Sequence, residues 1–230
     1  MKTAQAPGGA DGEHEPPPVV IRPLSRRDYE SCRQAMQAFT RERDQHTTDE
    51  IWLTEHPPVY TLGLAGKPEH LLDTSGIDVV RTERGGQVTY HGPGQVIAYT
   101  LIDLARRRMT IRGFVCLLEQ AVIDTLAARG LHAVRRPGAP GVYLAGDHEL
   151  AGAKIASLGL KVSRGRVFHG VALNVAMDLT PFAGINPCGM AGLPVTDLAH
   201  CDILADTAQI GEELARAIVA GLDGQAQASS

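Results

Sequence analysis

The stretch GVYLAGDHELAGAKIASLGLKVSRGRVFHGVALNV, residues 141–175, contains three runs rich in valine, leucine and isoleucine. Turn-forming residues separate the runs, namely Gly146-Asp147 and Arg164-Gly165. Strands in direct succession, with no helical segment between them, are typical of an antiparallel meander and not of alternating βαβ units. The stretch therefore predicts an α+β domain. The strands that we predict in it cover residues 141–145, 150–162 and 166–175.

Outward from this stretch, apolar periodicity predicts three helices. The first covers residues 25–43, with Ser25 as N-cap and Cys32 facing the core. The second covers residues 110–129, with Thr110 as N-cap and Gly130 as terminator. Its apolar stripe consists of Ile111, Val115, Leu118, Val122 and Leu126, and we expect Cys116 beside it to be at least half-buried. The third helix covers residues 207–222, with Ile210, Leu214, Ile218 and Leu222 inward. Further strands are predicted over 51–54, 59–62, 78–82 and 95–104.

The bulk composition is that of a globular enzyme with one core. Of the 230 residues, 43% are hydrophobic and 21% are charged. We expect disordered tails over 1–18 and 224–230 and a single domain over 19–223. We expect no secretory signal and no membrane span, because no long apolar run is present. The four cysteines form no CxxC pair, so we expect reduced thiols in the cytoplasm and no metal site.

The net charge of −4 argues against a nucleic-acid partner, since phosphate binding needs a basic face. The only short basic run covers residues 106–108. It is either a solvated loop or a docking point for an acidic partner, and the sequence leaves both interpretations open.

Residues 84–95, RGGQVTYHGPGQ, contain four glycines. Such a loop needs left-handed backbone conformations or the close approach of another group to its main chain. The order of residues is not that of a phosphate-binding loop. We interpret the loop as a backbone wall against a ligand, flanked by Arg84 and His91; a plain tight turn between strands is the alternative.

Lys154 and Cys188 are the two candidates for chemistry. In KIASLGLK, residues 154–161, Lys154 shares an apolar strand face with Ala156 and Leu158, where burial would favour its neutral amine. A strand-end lysine whose amine reaches water is the alternative. Cys188 lies between Pro187 and a glycine, which favours a constrained loop. A thiol there is either structural or a nucleophile that needs a neighbouring base.

These segments resemble the lipoyl(octanoyl) transferase family, the bacterial lipoate-biosynthesis protein B type. The resemblance covers the core, not the tails, and RGGxxTxHGPGQ together with KIxSLG and NPCG makes it specific. The matching stretches are EHPPVYTLG at 55–63, RGGQVTYHGPGQ at 84–95, GVY at 141–143, KIASLG at 154–159, HGVALNV at 169–175 and INPCG at 185–189.

The resemblance implies the biotin/lipoate protein ligase fold, a mixed sheet flanked by helices. It also implies an enzyme without cofactor or metal, in which Cys188 and Lys154 form a catalytic dyad. We expect a monomer, although the resemblance does not bear on oligomeric state. The implied reaction moves octanoyl from acyl carrier protein to a lysine of lipoyl domains, in 2-oxoacid dehydrogenase E2 subunits and in the glycine cleavage H protein. The implied substrate-binding residues are Arg84, Gly85, Gly86, Gln87, Val88, Thr89, Tyr90, His91, Ser157, Leu158, Gly159, Gly170, Val171 and Ala172.

Three other functions compete with this interpretation. An ATP-dependent lipoate or biotin ligase would share the fold but would need no nucleophilic cysteine. A cysteine hydrolase would use His91 or His169 as its base. A non-catalytic carrier-protein-binding module would function without Cys188.

Overall fold

The computed structural model describes residues 18–147 and 149–228, in which three helices accompany ten strands. Residues 1–17 of the predicted tail over 1–18, and residues 229–230 of the other predicted tail, lie outside the described residues. The helices are α1 Tyr29–Glu42, α2 Ile111–Ala127 and α3 Thr207–Ala228. The strands are β1 Val20–Pro23, β2 Glu50–Thr54, β3 Val59–Leu62, β4 Val79–Arg81, β5 Val88–His91, β6 Gln95–Asp103, β7 Ala133–Arg136, β8 Ala139–Leu144, β9 Lys154–Ser163 and β10 Arg166–Asn174.

The strands form two sheets. The larger has the order β1-β2-β6-β10-β9-β8-β7, and the smaller has the order β4-β3-β5. Within each sheet one pair is parallel, β1 with β2 and β3 with β4, while the other pairs are antiparallel. The predicted meander is present as β8, β9 and β10. A mixed sheet flanked by helices is the α+β fold that the sequence predicted.

The large sheet is covered on both faces. Helices α2 and α3 pack on one face, where the inward residues Ile210, Leu214 and Ile218 of α3 are fully buried. Helix α1 covers the other face, and its Cys32 and Met36 share a cluster with aromatic side chains of β6 and β10. Burial of these apolar stripes fixes the helices to the sheet, as expected for amphipathic elements.

Helix α1 begins later than the sequence predicted. Its N-cap is Asp28, whose carboxylate accepts a hydrogen bond from the Ser31 amide at 2.9 Å, and not Ser25. The Leu24 amide instead donates to the Leu53 carbonyl of β2, and the Arg27 amide donates to the Glu55 carbonyl just after it, which holds this segment outside the helix. Asp28 caps the helix by the same chemistry that we predicted for Ser25, and the hydrogen bonds of residues 24 and 27 to the β2 region account for the later start.

Two predictions for α2 were wrong. Ile111 is 52% exposed, although we assigned it to the core stripe, and Cys116 is exposed. The buried stripe starts with Phe114 and continues through Leu118 to Leu126. The first turn of α2 extends past the packed part of the sheet, so periodicity alone overestimated the length of the buried face.

Boundaries differ at two other places. Strand β9 starts at Lys154 and not at 150, because Gly152 adopts a left-handed φ of 90° and the Ala153 amide closes a turn onto Leu150. Helix α3 continues to Ala228, through part of the predicted tail. Helix-favouring Gln and Ala residues follow Gly224 and offset its conformational cost. Strands β1, β5 and β7 were missed.

None of the helices in the described part of the chain combines the length and apolar character needed to cross a bilayer.

Candidate active site

A cavity of about 480 Å³ opens where β8 separates from β9. These strands pair only at Val142 with Ala156 and Tyr143 with Lys154, so the edge of β9 beyond Ala156 is released from β8. The glycine-rich loop enters this gap, and its Gly85 amide donates to the Leu160 carbonyl at 2.8 Å. The size suits a small organic ligand.

The cavity brings together nearly all of the predicted binding residues. Its wall includes the glycine-rich loop, part of β9 and part of β10, together with Lys154 and Cys188. The predicted residues found in the wall are Arg84, Gly85, Gly86, Gln87, Val88, Thr89, His91, Ser157, Leu158, Gly159, Gly170, Val171 and Ala172.

Tyr90 is the predicted binding residue that lies elsewhere. It packs with Tyr60 and Phe182 in a separate buried cluster beneath the small sheet. Successive side chains of a strand point to opposite faces, so Thr89 and His91 face the cavity while Tyr90 faces away. The alternation along β5 could have shown this, but we interpreted the segment as a loop.

Several wall residues were not identified from the sequence as binding residues. Those with a sequence signal are Ile111 and Val115, which stand on the predicted helix stripe but at the end that leaves the core. Leu160, His169 and Pro187 directly adjoin predicted site residues, whereas most of the others come from elements distant in sequence that no local pattern indicates. The missed wall residues are Tyr29, Ile97, Tyr99, Ile111, Val115, Gly138, Ala139, Pro140, Leu160, His169, Pro187 and Met190.

Lys154 is buried, with 2% of its surface exposed. As the first residue of β9 it is held on both sides: its backbone amide donates to Pro194 at 2.8 Å, and its carbonyl accepts from Thr196 at 3.0 Å. Its ammonium group donates to the Pro140 carbonyl at 3.0 Å. The amine therefore remains inside the protein, and the alternative of a solvent-reaching lysine is not observed.

Cys188 lies in a tight turn, Pro187–Gly189, with a backbone φ of 57°. A left-handed conformation is strained for a residue with a side chain, and such residues occur in tight turns and cluster at functional sites. The turn is anchored by the Asn186 amide, which donates to the His70 carbonyl at 2.9 Å. The thiol is partly exposed and faces the cavity.

The two candidates meet across the cavity wall. The Lys154 Nζ donates to the Cys188 Sγ at 2.7 Å, although 34 residues separate them. A thiol and an amine in hydrogen-bond contact can exchange a proton, which converts the thiol into the nucleophilic thiolate. No other cysteine of the described residues lines this cavity with a lysine.

The Tyr143 ring packs next to the Lys154–Cys188 pair. Its ring centroid lies 5.5 Å from the Lys154 Nζ and 4.4 Å from the Arg136 guanidinium carbon. Its hydroxyl is buried without a hydrogen-bond partner in the described part of the chain. Burial, with a further contribution from Cys188, raises the pKa of Tyr143 to about 12, so the phenol stays neutral at physiological pH.

Gly141 leaves the space that the Lys154 side chain fills. Its φ of 135° lies in the region that side chains disfavour, and an added Cβ would approach the Lys154 Cε to 2.6 Å. We expect Gly141→Ala to displace the amine and to reduce the activity strongly. Gly130→Ala is the matched control, since Gly130 has a φ of 78° with open space around it. It should cost about 1–2 kcal/mol of stability from backbone strain and leave activity intact. Equal activity of the two variants would contradict the expectation.

His91 is held neutral by its surroundings. Its Nδ1 lies 2.7 Å from the Gln95 Oε1 and its Nε2 lies 3.3 Å from the Thr61 hydroxyl, so both ring nitrogens are engaged. Because the Gln95 amide nitrogen already donates elsewhere, its oxygen accepts and the proton resides on Nδ1. Burial lowers the pKa of His91 to about 3.

This depressed pKa makes stability depend on pH. The unfolded chain protonates His91 near pH 6.5 while the folded protein does not, so the free energy of unfolding falls as the pH drops from 6.5 towards 3. We expect this group to account for about 2 kcal/mol between pH 6.5 and 5. Urea unfolding of His91→Gln should show a shallower dependence, with exposed His132→Gln as control. An unchanged slope would contradict the assignment.

His169 is also a poor base. It is buried in β10, and its Nε2 lies 3.1 Å from the Glu83 carboxylate. Burial lowers its pKa, while the bond to Glu83 opposes this effect. Neither His91 nor His169 has a hydrogen bond to Cys188 among the contacts of the described residues.

Arg84 places a buried cation in the cavity wall. Its guanidinium donates to the Thr61 carbonyl at 2.6 Å and to the Gly85 and Gln87 carbonyls at 2.9 Å each. No carboxylate pairs with it among residues 18–147 and 149–228. Burial lowers its pKa, but a guanidinium remains charged. The carbonyls of the glycine-rich loop therefore bind a buried positive charge.

Comparison with known proteins places the chain in a family. The family model described as lipoyl protein ligase A/B catalytic domain matches residues 28–219. A Burkholderia multivorans protein named octanoyltransferase is 54% identical over 215 residues, covering 93% of this chain and 86% of that protein. A Burkholderia lata protein of the same name is 52% identical over 231 residues, covering 100% of this chain and 90% of that protein.

Solved structures give the same fold. A Thermoplasma acidophilum protein described as a putative lipoate protein ligase with bound lipoic acid has a TM-score of 0.64 at 17% identity, covering 90% of this chain and 86% of that chain. A lipoate-protein ligase A bound with ATP has a TM-score of 0.57 at 16% identity, covering 92% and 85%. Such low identities support the fold alone. Since the family model spans residues 28–219, the chain belongs to the lipoyl protein ligase A/B catalytic-domain family.

Proposed function

We propose that this protein transfers an octanoyl group from acyl carrier protein to a lysine of a lipoyl domain, through an acyl thioester on Cys188. The observation that supports this proposal most directly is the 2.7 Å contact between the Lys154 amine and the Cys188 sulfur at the cavity wall. Relatives named octanoyltransferase at more than half identity support the reaction class, which makes the chain an acyltransferase.

In the first half-reaction, the Cys188 thiolate attacks the carrier thioester carbonyl. The bond from that carbon to the carrier sulfur breaks, and the departing thiolate takes a proton from the Lys154 ammonium. The acyl group is now on Cys188, and Lys154 is neutral. Division of the transfer into two steps lets the carrier leave before the acceptor protein docks.

In the second half-reaction, the acceptor lysine attacks the acyl thioester. Its amine passes a proton to neutral Lys154, and the Cys188 thiolate departs as the amide forms. The starting ion pair is restored, so neither ATP nor a metal ion enters the balance. The 3.0 Å bond to the Pro140 carbonyl holds the amine in line for both transfers.

The cavity provides a site for the acyl chain. The apolar residues Ile97, Val115, Leu158 and Ala172 line it, and Cys188 lies at its wall. A thioester that enters chain-first would present its carbonyl to the sulfur. Residues 84–91, 157–159 and 170–172, Tyr90 excepted, are the substrate-binding residues of this proposal.

The acceptor proteins that we propose are the lipoyl domains of 2-oxoacid dehydrogenase E2 subunits and the glycine cleavage H protein. A Thermoplasma acidophilum bi-partite lipoate protein ligase, studied with its E2 lipoyl domain, has a TM-score of 0.64 at 18% identity. We propose that the enzyme works as a monomer in the cytoplasm, where its four free thiols stay reduced.

A hydrolase with a histidine base is less consistent with the site. His91 has both ring nitrogens engaged and a pKa lowered to about 3 by burial, and His169 faces Glu83. The Lys154 amine, in contrast, contacts the sulfur directly. A carrier-binding module would not need this contact.

Intact-mass analysis after incubation with octanoyl-acyl carrier protein tests the proposal. We expect the mass of the protein to rise by one octanoyl group, carried by the peptide that contains Cys188, and to return on addition of a lipoyl domain. An unmodified enzyme under single-turnover conditions, with octanoylated acceptor formed, would exclude the covalent intermediate.

Transfer should also proceed without nucleotide. Because a thioester is already activated, EDTA and removal of ATP should leave the rate of acceptor octanoylation unchanged. Free octanoate with ATP and magnesium should give no octanoylated lipoyl domain. Product from free octanoate would assign the protein to the ATP-dependent ligases.

A further inference from the structure

A continuous chain of buried hydrogen bonds connects the cavity wall with the backbone of Lys154. It passes through both sheets and uses Gln95, the last residue of the glycine-rich segment, and Asn174, at the end of β10. Neither residue lines the cavity. The chain runs through Arg84, Thr61, His91, Gln95, Asn174 and Thr196 to Lys154.

The cavity end of the chain is polarised in one direction. The Arg84 Nη2 donates to the Thr61 hydroxyl at 2.8 Å, so that hydroxyl directs its proton to the His91 Nε2. The His91 Nδ1 in turn donates to the Gln95 Oε1 at 2.7 Å. The Thr61 hydroxyl and the His91 ring each accept on one side and donate on the other. The direction of donation along the chain is set by Arg84, which can only donate.

The other end of the hydrogen-bond chain contacts the backbone of Lys154. Gln95 and Asn174 face each other across β6 and β10, and the Gln95 amide nitrogen donates to the Asn174 Oδ1 at 2.9 Å. The Asn174 amide nitrogen donates to the Thr196 carbonyl at 2.9 Å. The Thr196 amide donates to the Lys154 carbonyl at 3.0 Å, and residues 194–196 lie beside Lys154 as a parallel bridge.

The side chains of this network are shielded from water. Gln95 is 1% exposed and Asn174 is 4% exposed. A buried amide that loses its partner keeps the full cost of desolvation, so the alternative orientations of these side chains are unfavourable. The Asn174 side chain therefore contributes to the position of residues 194–196, whose backbone bonds to that of Lys154 on both sides.

We infer that Gln95 and Asn174 are positioning residues, which hold Lys154 at the distance from Cys188 that proton transfer requires. The inference rests on the proposed function, in which Lys154 activates Cys188. Neither side chain has a hydrogen bond to Cys188 or lines the cavity, and both act through the backbone of the lysine. A displacement of about 1 Å at a reacting group can cost about 100-fold in rate.

The test is a double-mutant cycle read by the alkylation rate of Cys188 with iodoacetamide at neutral pH, with the other three cysteines changed to serine. Asn174→Leu should slow alkylation by about tenfold, in line with coupling between residues of one network. Lys154→Ala should slow it at least as much. In the Lys154→Ala background, Asn174→Leu should add nothing further, since the group that it positions is absent.

Gln95→Met provides a second variant of similar size, for the case in which Asn174→Leu fails to fold. It should show the same non-additivity. Thr125→Val is the matched control, because it removes a buried 2.7 Å hydrogen bond within α2, outside the network. This control should alkylate at the normal rate in both backgrounds. Urea unfolding would verify that each variant is folded in the assay.

The outcomes separate the inference from the proposed function. If Lys154→Ala alkylates normally, the dyad itself is refuted. If Lys154→Ala is slow while folded Asn174→Leu and Gln95→Met alkylate normally, only the positioning role is refuted. If their losses add in full to that of Lys154→Ala, the residues act on something other than Lys154, and the inference is also overturned.

Discussion

Replacement of Cys188 by serine should abolish the acyl-enzyme and reduce transfer by about 10³- to 10⁶-fold, as for other lost nucleophiles. A serine hydroxyl next to a lysine stays protonated near neutral pH, so the 2.7 Å contact no longer produces an anion. The turn that holds residue 188 depends on backbone bonds of Asn186 and Gly189, so the fold should persist. Intact-mass analysis and single-turnover octanoylation measure the two losses.

The other cysteines are controls within the same chain. Burial raises the pKa of the Cys32 and Cys201 thiols, which keeps them inert, and Cys116 is exposed on α2. Serine at any of these positions should preserve the adduct, with some loss of stability at the buried ones. An adduct that maps to Cys116 in the natural protein would show that exposure, and not the lysine contact, selects the acylated sulfur.

Lys154 should give two different phenotypes with two substitutions. Lys154→Arg keeps a cation next to the sulfur but cannot lose its proton, so Cys188 should still be alkylated while transfer falls by about 10²- to 10⁴-fold. Lys154→Ala should lose both, because an isolated thiol is mostly protonated at neutral pH. Iodoacetamide kinetics and acceptor octanoylation, followed on the same preparations, separate the two effects.

Lys154→Met serves as a neutral control of similar length, since it fills the buried space and removes the charge. It should behave as Lys154→Ala. The opposite pattern would identify a histidine base: His91→Ala or His169→Ala would silence the thiol while both Lys154 variants transfer at near-normal rates. The engaged nitrogens of His91 and the bond from His169 to Glu83 make us expect normal thiol reactivity in those variants.

Much of the fold could be predicted because local patterns carry it. The period-2 runs around Lys154 and Gly170 gave the central strands, and the stripe of α3 gave a helix with four inward residues, all of them buried. Strands β1, β5 and β7 were missed for a physical reason. They contain four residues each. The hydrogen-bond partners of β1 and β5 lie far away in sequence, and β7 is a mostly exposed edge strand without an apolar face. Such segments have no pattern that distinguishes them from loops.

The features of the candidate site also fall into those that local sequence predicted and those that it did not. The sequence by itself determined the family, through glycine-rich motifs that must allow close backbone approach, and it identified Lys154 and Cys188 as candidates. It left the burial of Lys154 open, and it placed Tyr90 and Ile111 wrongly. Only the tertiary structure decided these points, because each depends on a neighbour distant in the chain. The Pro140 carbonyl holds the Lys154 amine, and Tyr90 packs beneath the small sheet. The separation of β8 from β9 opens the cavity that Ile111 lines. Local propensities fix which elements form, whereas the contact between a thiol and an amine 34 residues apart exists only after those elements have packed.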